Sequence, residues 1–193
     1  MKLVFATNNL HKIKEIQNMD GAQVQLLSLS QVNIQEDIPE DEPTLEGNAL
    51  YKARYIYGKT GLDVFADDTG LEVYSLNGEP GVRSARYAGE SKDSSANIDK
   101  LLAALKGESD RSARFRTVIA LIYQGSEFLF EGVAEGEIIR ERRGKEGFGY
   151  DPVFLPCGYD KTFAEMDLLT KNKISHRSVA FVKLMGFLSQ KEK

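Results

Sequence analysis

The opening of the chain constrains its fold more than any other stretch. Leu3-Val4-Phe5-Ala6 is a short apolar run of the kind that forms a buried strand. Thr7-Asn8-Asn9 breaks it at once, because Asn and Thr favour turns and helix caps. Leu10 to Met19 then carries Leu10, Ile13 and Ile16 at helical spacing. Strand, polar turn, helix is a geometry that presents backbone N–H groups to an anion. It also commits the chain to a fold in which strands and helices pack on one another.

The remaining signals agree with that start. Residues 35–43 (QEDIPEDEP) are acidic, carry two prolines and read as a loop. Thr44 is placed to cap a helix from Leu45 to about Gly58. Leu62 to Ala66 reads as a strand, interrupted by Asp67-Asp68-Thr69-Gly70, with a second strand from Leu71 to Leu76. Asn77-Gly78 marks a tight turn, and Pro80-Gly81 turns the chain again. Ser94 to Lys106 is helical, with Ile98, Leu101, Leu102 and Leu105 on one face and Gly107 as its stop. Ala113–Tyr123 and Glu127–Val133 pair as a hairpin across Gln124-Gly125-Ser126. Gly144 to Gly149 is a glycine-rich loop before a short strand, Pro152–Leu155. Ser175 can cap a last helix to about Leu188. This mixture predicts an α/β fold on a twisted mixed sheet.

With 193 residues, of which 41% are hydrophobic, there is enough for one globular domain, residues 1–193, with room for a split into two lobes. Net charge is −4, without the basic excess of a nucleic-acid binder. A small anionic ligand needs only a few well-placed cations. The single cysteine, Cys157, cannot close an internal disulfide, which suits a reducing compartment. The run Leu3–Ala6 is too short for a signal peptide or a membrane span, so a soluble, cytoplasmic protein is expected.

Five groups of residues could carry chemistry. Thr7-Asn8-Asn9-Leu10-His11-Lys12 sets hydroxyl and amide groups at a helix start with a lysine one turn in. This suits phosphate, although spacing alone favours an ordinary capped helix. Asp67-Asp68 follows the apolar Val64-Phe65-Ala66 and is read as a strand end. The two carboxylates should face opposite ways and do different jobs, and one could bind Mg²⁺ or act as a general base. Glu40 in the acidic loop is a metal candidate only if the fold brings it beside Asp68. Otherwise the loop is a solvated charge run. Gly147-Phe148-Gly149-Tyr150-Asp151-Pro152 offers aromatics for stacking on a base and a carboxylate for its edge, or simply a structural turn. Lys171, Ser175, His176 and Arg177 gather cations near a helix start, suited to phosphate and a keto oxygen. With only His11 and His176 and one cysteine, a His/Cys zinc site is not expected. Gly58-Lys59-Thr60 imitates the end of a phosphate-binding P-loop but has Ala53 where that motif needs glycine.

Taken together, these segments resemble the inosine triphosphate pyrophosphatase family. The matching residues are Thr7-x-Asn9-x-x-Lys12, Thr44 with Asn48-Ala49 and Lys52-Ala53, Ala66-Asp67-Asp68-Thr69-Gly70-Leu71, Pro80-Gly81 with Ser84-Ala85-Arg86-Tyr87, Phe148-Gly149-Tyr150-Asp151-Pro152, and Ser175-His176-Arg177. They occur in family order over nearly the whole chain. Gly47 departs, since many members have Glu there, and Thr69 replaces a common Ser.

The resemblance implies an elongated two-lobed α/β fold around a central substrate cleft, a homodimer, and Mg²⁺-dependent hydrolysis of ITP, dITP and XTP to the monophosphate and pyrophosphate. It implies that Thr7 to Lys12 cradle the phosphates with Lys52 nearby and Thr69 in contact. Asp68 would be proton acceptor and metal ligand, with Glu40 helping to hold the metal and Asp67 behind it. Phe148, Gly149, Tyr150 and Asp151, with His176 and Arg177, would form the base pocket, and Lys171 would reach the nucleotide. A donor such as Arg177 would pair with the 6-keto oxygen that hypoxanthine and xanthine carry and adenine lacks. Two rival readings are a pyrophosphatase for modified pyrimidine triphosphates and a nucleotide sensor that does not hydrolyse.

Overall fold

The computed structural model describes residues 1–19 and 24–191. It is a mixed α/β fold of seven strands and five α-helices among the described residues. The strands are β1 (Lys2–Phe5), β2 (Gln25–Leu27), β3 (Val64–Val73), β4 (Pro80–Gly81), β5 (Ser112–Tyr123), β6 (Ser126–Ile138) and β7 (Phe154–Pro156). The helices are α1 (Leu10–Gln17), α2 (Leu45–Thr60), α3 (Ser94–Ala104), α4 (Leu168–Asn172) and α5 (His176–Lys191). The sheet runs β2-β1-β3-β5-β6-β7, with β4 paired to β3. β1 is parallel to both β2 and β3, whereas β3–β4 and β6–β7 are antiparallel.

Contacts divide the chain into two compact units. Unit 1 is Met1–Asp68, Thr117–Gly132 and Arg177–Lys193; unit 2 is Thr69–Arg116 and Val133–His176. In unit 1, Leu3, Phe5, Phe65, Ile119 and Leu121 from the strands pack with Ile16 of α1 and Phe181, Leu184 and Leu188 of α5. Phe5 and Phe65 are register partners on adjacent strands, their rings stacked at 4.4 Å. In unit 2, Leu71, Val73, Phe115, Ile138, Phe154 and Phe163 pack with Ile98, Leu101 and Leu105 of α3 and the residue that follows it. Each such side chain contributes about 1.5–3 kcal/mol by leaving water.

Local chemistry sets the helix ends. Asn9 caps α1 by accepting from the N–H groups of His11 and Lys12, at 2.9 and 3.3 Å. Thr44 caps α2 through the Gly47 N–H at 3.0 Å, and Gly61 closes it in the left-handed region. The turn at Asn77-Gly78 and the two-residue link Gln124-Gly125 fall where expected, all four residues at positive φ.

One expectation is corrected. Asp67-Asp68-Thr69-Gly70 does not interrupt two strands, because β3 runs through it from Val64 to Val73. Two features make this possible. The Asp67 charge is neutralised by ion pairs. Gly70 is needed because a Cβ there would lie 2.6 Å from the Gly81 carbonyl oxygen on β4. Residues 74–76 form a 3₁₀ turn instead of ending a strand.

Candidate active site

The acidic pair stands in the middle of β3, so its two side chains leave opposite faces. Both are buried, and each has its own partners. Asp67 accepts from Lys12 Nζ at 3.0 Å and from Arg177 Nε at 3.1 Å, while its carbonyl accepts from Lys52 Nζ at 2.8 Å. Arg177 also donates through Nη1 to Glu15. Burial alone would raise the Asp67 pKa, but Lys12, Arg177 and Lys52 outweigh it and hold the carboxyl well below the usual range. The same cations crowd Lys12, whose pKa is lowered, first by burial and then by Lys52 and Arg177 against the pull of Asp67.

Asp68 is different. Its Oδ2 accepts from Asn48 Nδ2 at 2.9 Å, and its Oδ1 lies 3.9 Å from Lys52 Nζ. Burial pushes its pKa up; Lys52 and Lys12 pull it down, Glu40 pushes it up again, and the net direction is upward. Lys52 donates to Glu40 as well. Burial lowers the Lys52 pKa, yet Asp68, Glu40 and Asp67 together reverse that, so the ammonium stays charged.

The acidic loop is not a freely solvated charge run. Glu40 meets Lys52, the Glu42 N–H donates to Asn48 Oδ1 at 3.0 Å, Glu36 pairs with Lys59, and Asp37 accepts from Asn8 at 3.2 Å. The loop is therefore fastened along α2 and to the amino-terminal turn. Gly47 has a steric reason here: a Cβ at that position would stand 2.8 Å from Glu42 Cβ and 3.1 Å from Thr44 Oγ1.

Glu40 and Asp68 fit a hard divalent cation by donor type, since both offer carboxylate oxygen and both lean on the same ammonium. Among the described residues no group of three or more His, Cys, Asp or Glu gathers to hold a metal. Two carboxylates leave coordination positions for phosphate oxygens, which is the usual manner of Mg²⁺.

In the amino-terminal turn, Thr7 Oγ1 accepts from the Asn9 N–H at 3.1 Å, and Leu10 and His11 are exposed. Lys12 reaches from α1 to Asp67. The first-turn amides of His11 and Lys12 are engaged by the Asn9 cap. Thr69 is half-buried directly after Asp68.

Unit 2 holds a second cluster. Asp151 Oδ2 accepts from Lys171 Nζ at 2.7 Å and from the Phe148 N–H at 2.8 Å, and both residues of the pair are buried. The Lys171 ammonium lies 5.3 Å from the Phe148 ring centroid and 5.4 Å from that of Phe163. Gly147 and Gly149 take positive φ, turning the chain around Asp151. Tyr150 is buried and donates to the Ser84 carbonyl at 2.9 Å; burial pushes its phenol well above the ordinary range. Phe148, half-buried, is the aromatic of this motif that keeps part of its ring exposed. His176 is buried with its ring stacked on Phe115 at 4.6 Å. His176 and Arg177, neighbours in sequence, thus have partners in different units.

The Ham1 family model matches residues 3–187. The chain belongs to the Ham1 family. A dITP/XTP pyrophosphatase of Christiangramia forsetii is 56% identical, covering 98% of this chain and 100% of the relative. A dITP/XTP pyrophosphatase of Flavobacterium johnsoniae is 54% identical, with 98% of each chain covered. The solved structure of the Staphylococcus aureus Ham1 protein superposes with a TM-score of 0.89 at 39% identity, covering 99% of this chain and 100% of that one.

Two residues of this Ham1 chain's charge cluster escape the sequence reading as functional candidates. Glu15 fixes Arg177, and Asn48 joins Asp68 to the acidic loop. Asn48 has a legible signal. It and Lys52 lie on the buried stripe of α2 with Leu45, Ala49, Ala53 and Ile56, where a helix normally buries only apolar groups. Glu15 neighbours the buried Ile16 on a short helix and carries no comparable signal.

Proposed function

We propose that the chain hydrolyses non-standard purine nucleoside triphosphates (ITP, dITP and XTP) to the nucleoside monophosphate and pyrophosphate, with Mg²⁺ as cofactor. Its relatives are dITP/XTP pyrophosphatases over almost its full length, which supports the substrate class. One observation carries the chemistry: adjacent carboxylates on β3 are driven in opposite directions. Asp67 is held as a permanent anion among Lys12, Arg177 and the Lys52 environment, while Asp68 has its proton affinity raised. Paired groups pushed apart in this way mark the acid–base assignment.

Asp68 takes the proton of the attacking water. The water oxygen bonds to phosphorus as the bond to the pyrophosphate oxygen breaks, and Lys12 and Lys52 offset the charge that accumulates there. Glu40 and Asp68 would hold Mg²⁺, which would supply Lewis-acid neutralisation of phosphate charge. Thr7, Asn8, Asn9, Leu10 and His11 line the polyphosphate, and Thr69 adds a hydroxyl. Phe148, Gly149, Tyr150, Asp151, Lys171, His176 and Arg177 serve the base, with Arg177 as donor to the 6-keto oxygen. Arg177 Nε and Nη1 donate to Asp67 and Glu15, so reading the base falls to its other N–H donors or to exchange of one of those bonds. Residues 1–193 act as one pyrophosphatase domain, as a homodimer in the cytoplasm. No described helix is long and apolar enough to cross a membrane.

The test is product analysis of ITP, dITP, XTP, GTP, ATP and modified pyrimidine triphosphates with and without Mg²⁺. Pyrophosphate from the first three, only with the metal, is expected. A polar mismatch at the 6-position can discriminate by up to about 10⁴–10⁵. Orthophosphate as product refutes the reaction, equal turnover of ATP refutes the selectivity, and tight binding without product refutes catalysis.

A further inference from the structure

Lys52 is connected to every carboxylate-bearing residue of the proposed metal site. Its ammonium donates to Glu40 and to the Asp67 carbonyl at 2.8 Å, and lies 3.9 Å from Asp68 Oδ1. The residue is only 5% exposed, although it carries a full charge on the buried stripe of α2. We propose that Lys52 is an internal cation that holds the metal seat closed in the nucleotide-free chain, so that the divalent ion enters only together with a polyphosphate. This inference rests on the pyrophosphatase reading for the identity of the two metal-holding carboxylates.

The physical case is one of competition. Glu40 and Asp68 are the two carboxylates of the seat; a monovalent cation already donates to Glu40 and lies within ion-pair distance of Asp68. A divalent ion arriving alone meets the repulsion of that ammonium, with Glu40 already engaged as its acceptor. It would also shed water for few ligands, which Mg²⁺ does reluctantly. A polyphosphate changes both terms. Its oxygens accept charge-assisted hydrogen bonds from Lys52, releasing Glu40 and Asp68, and they complete the coordination of the ion. Metal and polyphosphate then favour each other through Lys52, and the coupling is reciprocal.

Mn²⁺ binding to the nucleotide-free chain, read by electron paramagnetic resonance, tests this without any turnover. Lys52→Gln should bind Mn²⁺ at least about tenfold more tightly than wild type, a change of about 1.4 kcal/mol. The gain should vanish in Lys52→Gln/Glu40→Gln. Lys52→Arg keeps the charge and should bind as weakly as wild type. Equal or weaker binding by folded Lys52→Gln, or tighter binding by Lys52→Arg, overturns the proposal. The wild-type chain gives a readout independent of variants. The ¹⁵N signal of the Lys52 ammonium should stay in place with Mg²⁺ alone and move with Mg²⁺ plus inorganic tripolyphosphate; movement with Mg²⁺ alone overturns it. Pyrophosphate release from ITP by the wild type, assayed in parallel, separates the two claims. A chain that hydrolyses ITP but fails the Mn²⁺ test loses only this inference, and one that releases no pyrophosphate loses the parent reading.

Discussion

Among the described residues, acids are buried with bases in two clusters that are built differently. In unit 2 a carboxylate–ammonium pair, Asp151–Lys171, is closed by the Phe148 amide and the rings of Phe148 and Phe163. In unit 1, Lys12, Lys52 and Arg177 are shared among Asp67, Asp68, Glu40 and Glu15, and the two central carboxylates are pulled in opposite directions. A closed pair fixes the shape of a loop. In this network Asp67, Lys52 and Arg177 each have more than one partner, so one bond can be given up for another as a substrate or ion arrives. Under the proposed function, the unit 1 network carries the reaction, and the Asp151–Lys171 pair sets the loop of the base-binding motif.

The largest expected effect separates these roles directly. Asp68→Asn keeps the size and the Asn48 contact but removes the base, so kcat should fall by about 10²–10⁴. Asp151→Asn should act through the Phe148 loop, raising KM for ITP with kcat changed much less. Steady-state kinetics on both variants decides the matter. A loss of less than about tenfold in Asp68→Asn, or a kcat collapse in Asp151→Asn, would reverse the assignment.

Asp67→Asn comes next and is read as stability. Breaking a buried ion pair by removing one partner costs about 3–5 kcal/mol, and here Lys12 loses its ion-pair partner while Arg177 keeps Glu15. The sign with pH follows from the depressed Asp67 pKa. Its contribution is fully present above the unfolded carboxylate value of about 3.9 and is lost as pH falls from there through the folded value. Urea denaturation should therefore show the wild-type advantage narrowing by about 1 kcal/mol between pH 7 and pH 3. A gap that stays constant over that range would mean the charge of Asp67 is not what stabilises the network.

Local chemistry made much of the fold legible, and distance hid the rest. Asn9, Thr44, Asn77-Gly78 and Gln124-Gly125 announce caps and turns because their side chains or φ preferences act within a few residues. β2 and α4 span three and five residues, too short to show a period, so Lys171 gave no sign of having its own helix. The break expected at Asp67–Gly70 rested on reading the pair as a strand end, with Asp and Gly as common turn residues. The compensation of Asp67 comes from Lys12 and Arg177, 55 and 110 positions away, and that of Asp68 from Asn48, 20 positions away, and no local window contains either. The same separation hid Glu15, which meets Arg177 across 162 positions. Lys52 and Asn48 have a local signal, as polar residues on a buried helical stripe, but Lys52 enters only through the family resemblance and Asn48 is not among the functional candidates of the sequence reading.

The smallest predicted effect probes the shape-setting cluster at the backbone. Gly147 has φ +75°, and a Cβ there would come within 2.0 Å of Asp151 Oδ2, the oxygen that accepts from both Lys171 and the Phe148 N–H. Gly147→Ala combines a left-handed backbone, costing about 1–3 kcal/mol for a side-chain-bearing residue, with displacement of that carboxylate. If Asp151 serves to set the loop, Gly147→Ala should reproduce the kinetic signature of Asp151→Asn, a raised KM with kcat nearly kept, although no titratable group has been touched. The double variant should then add little to either single change, since both act on the same contact. Fully additive effects would show that the loop and the Asp151–Lys171 pair serve separate purposes, and the contrast between a shape-setting pair and a reactive network would lose its basis in unit 2.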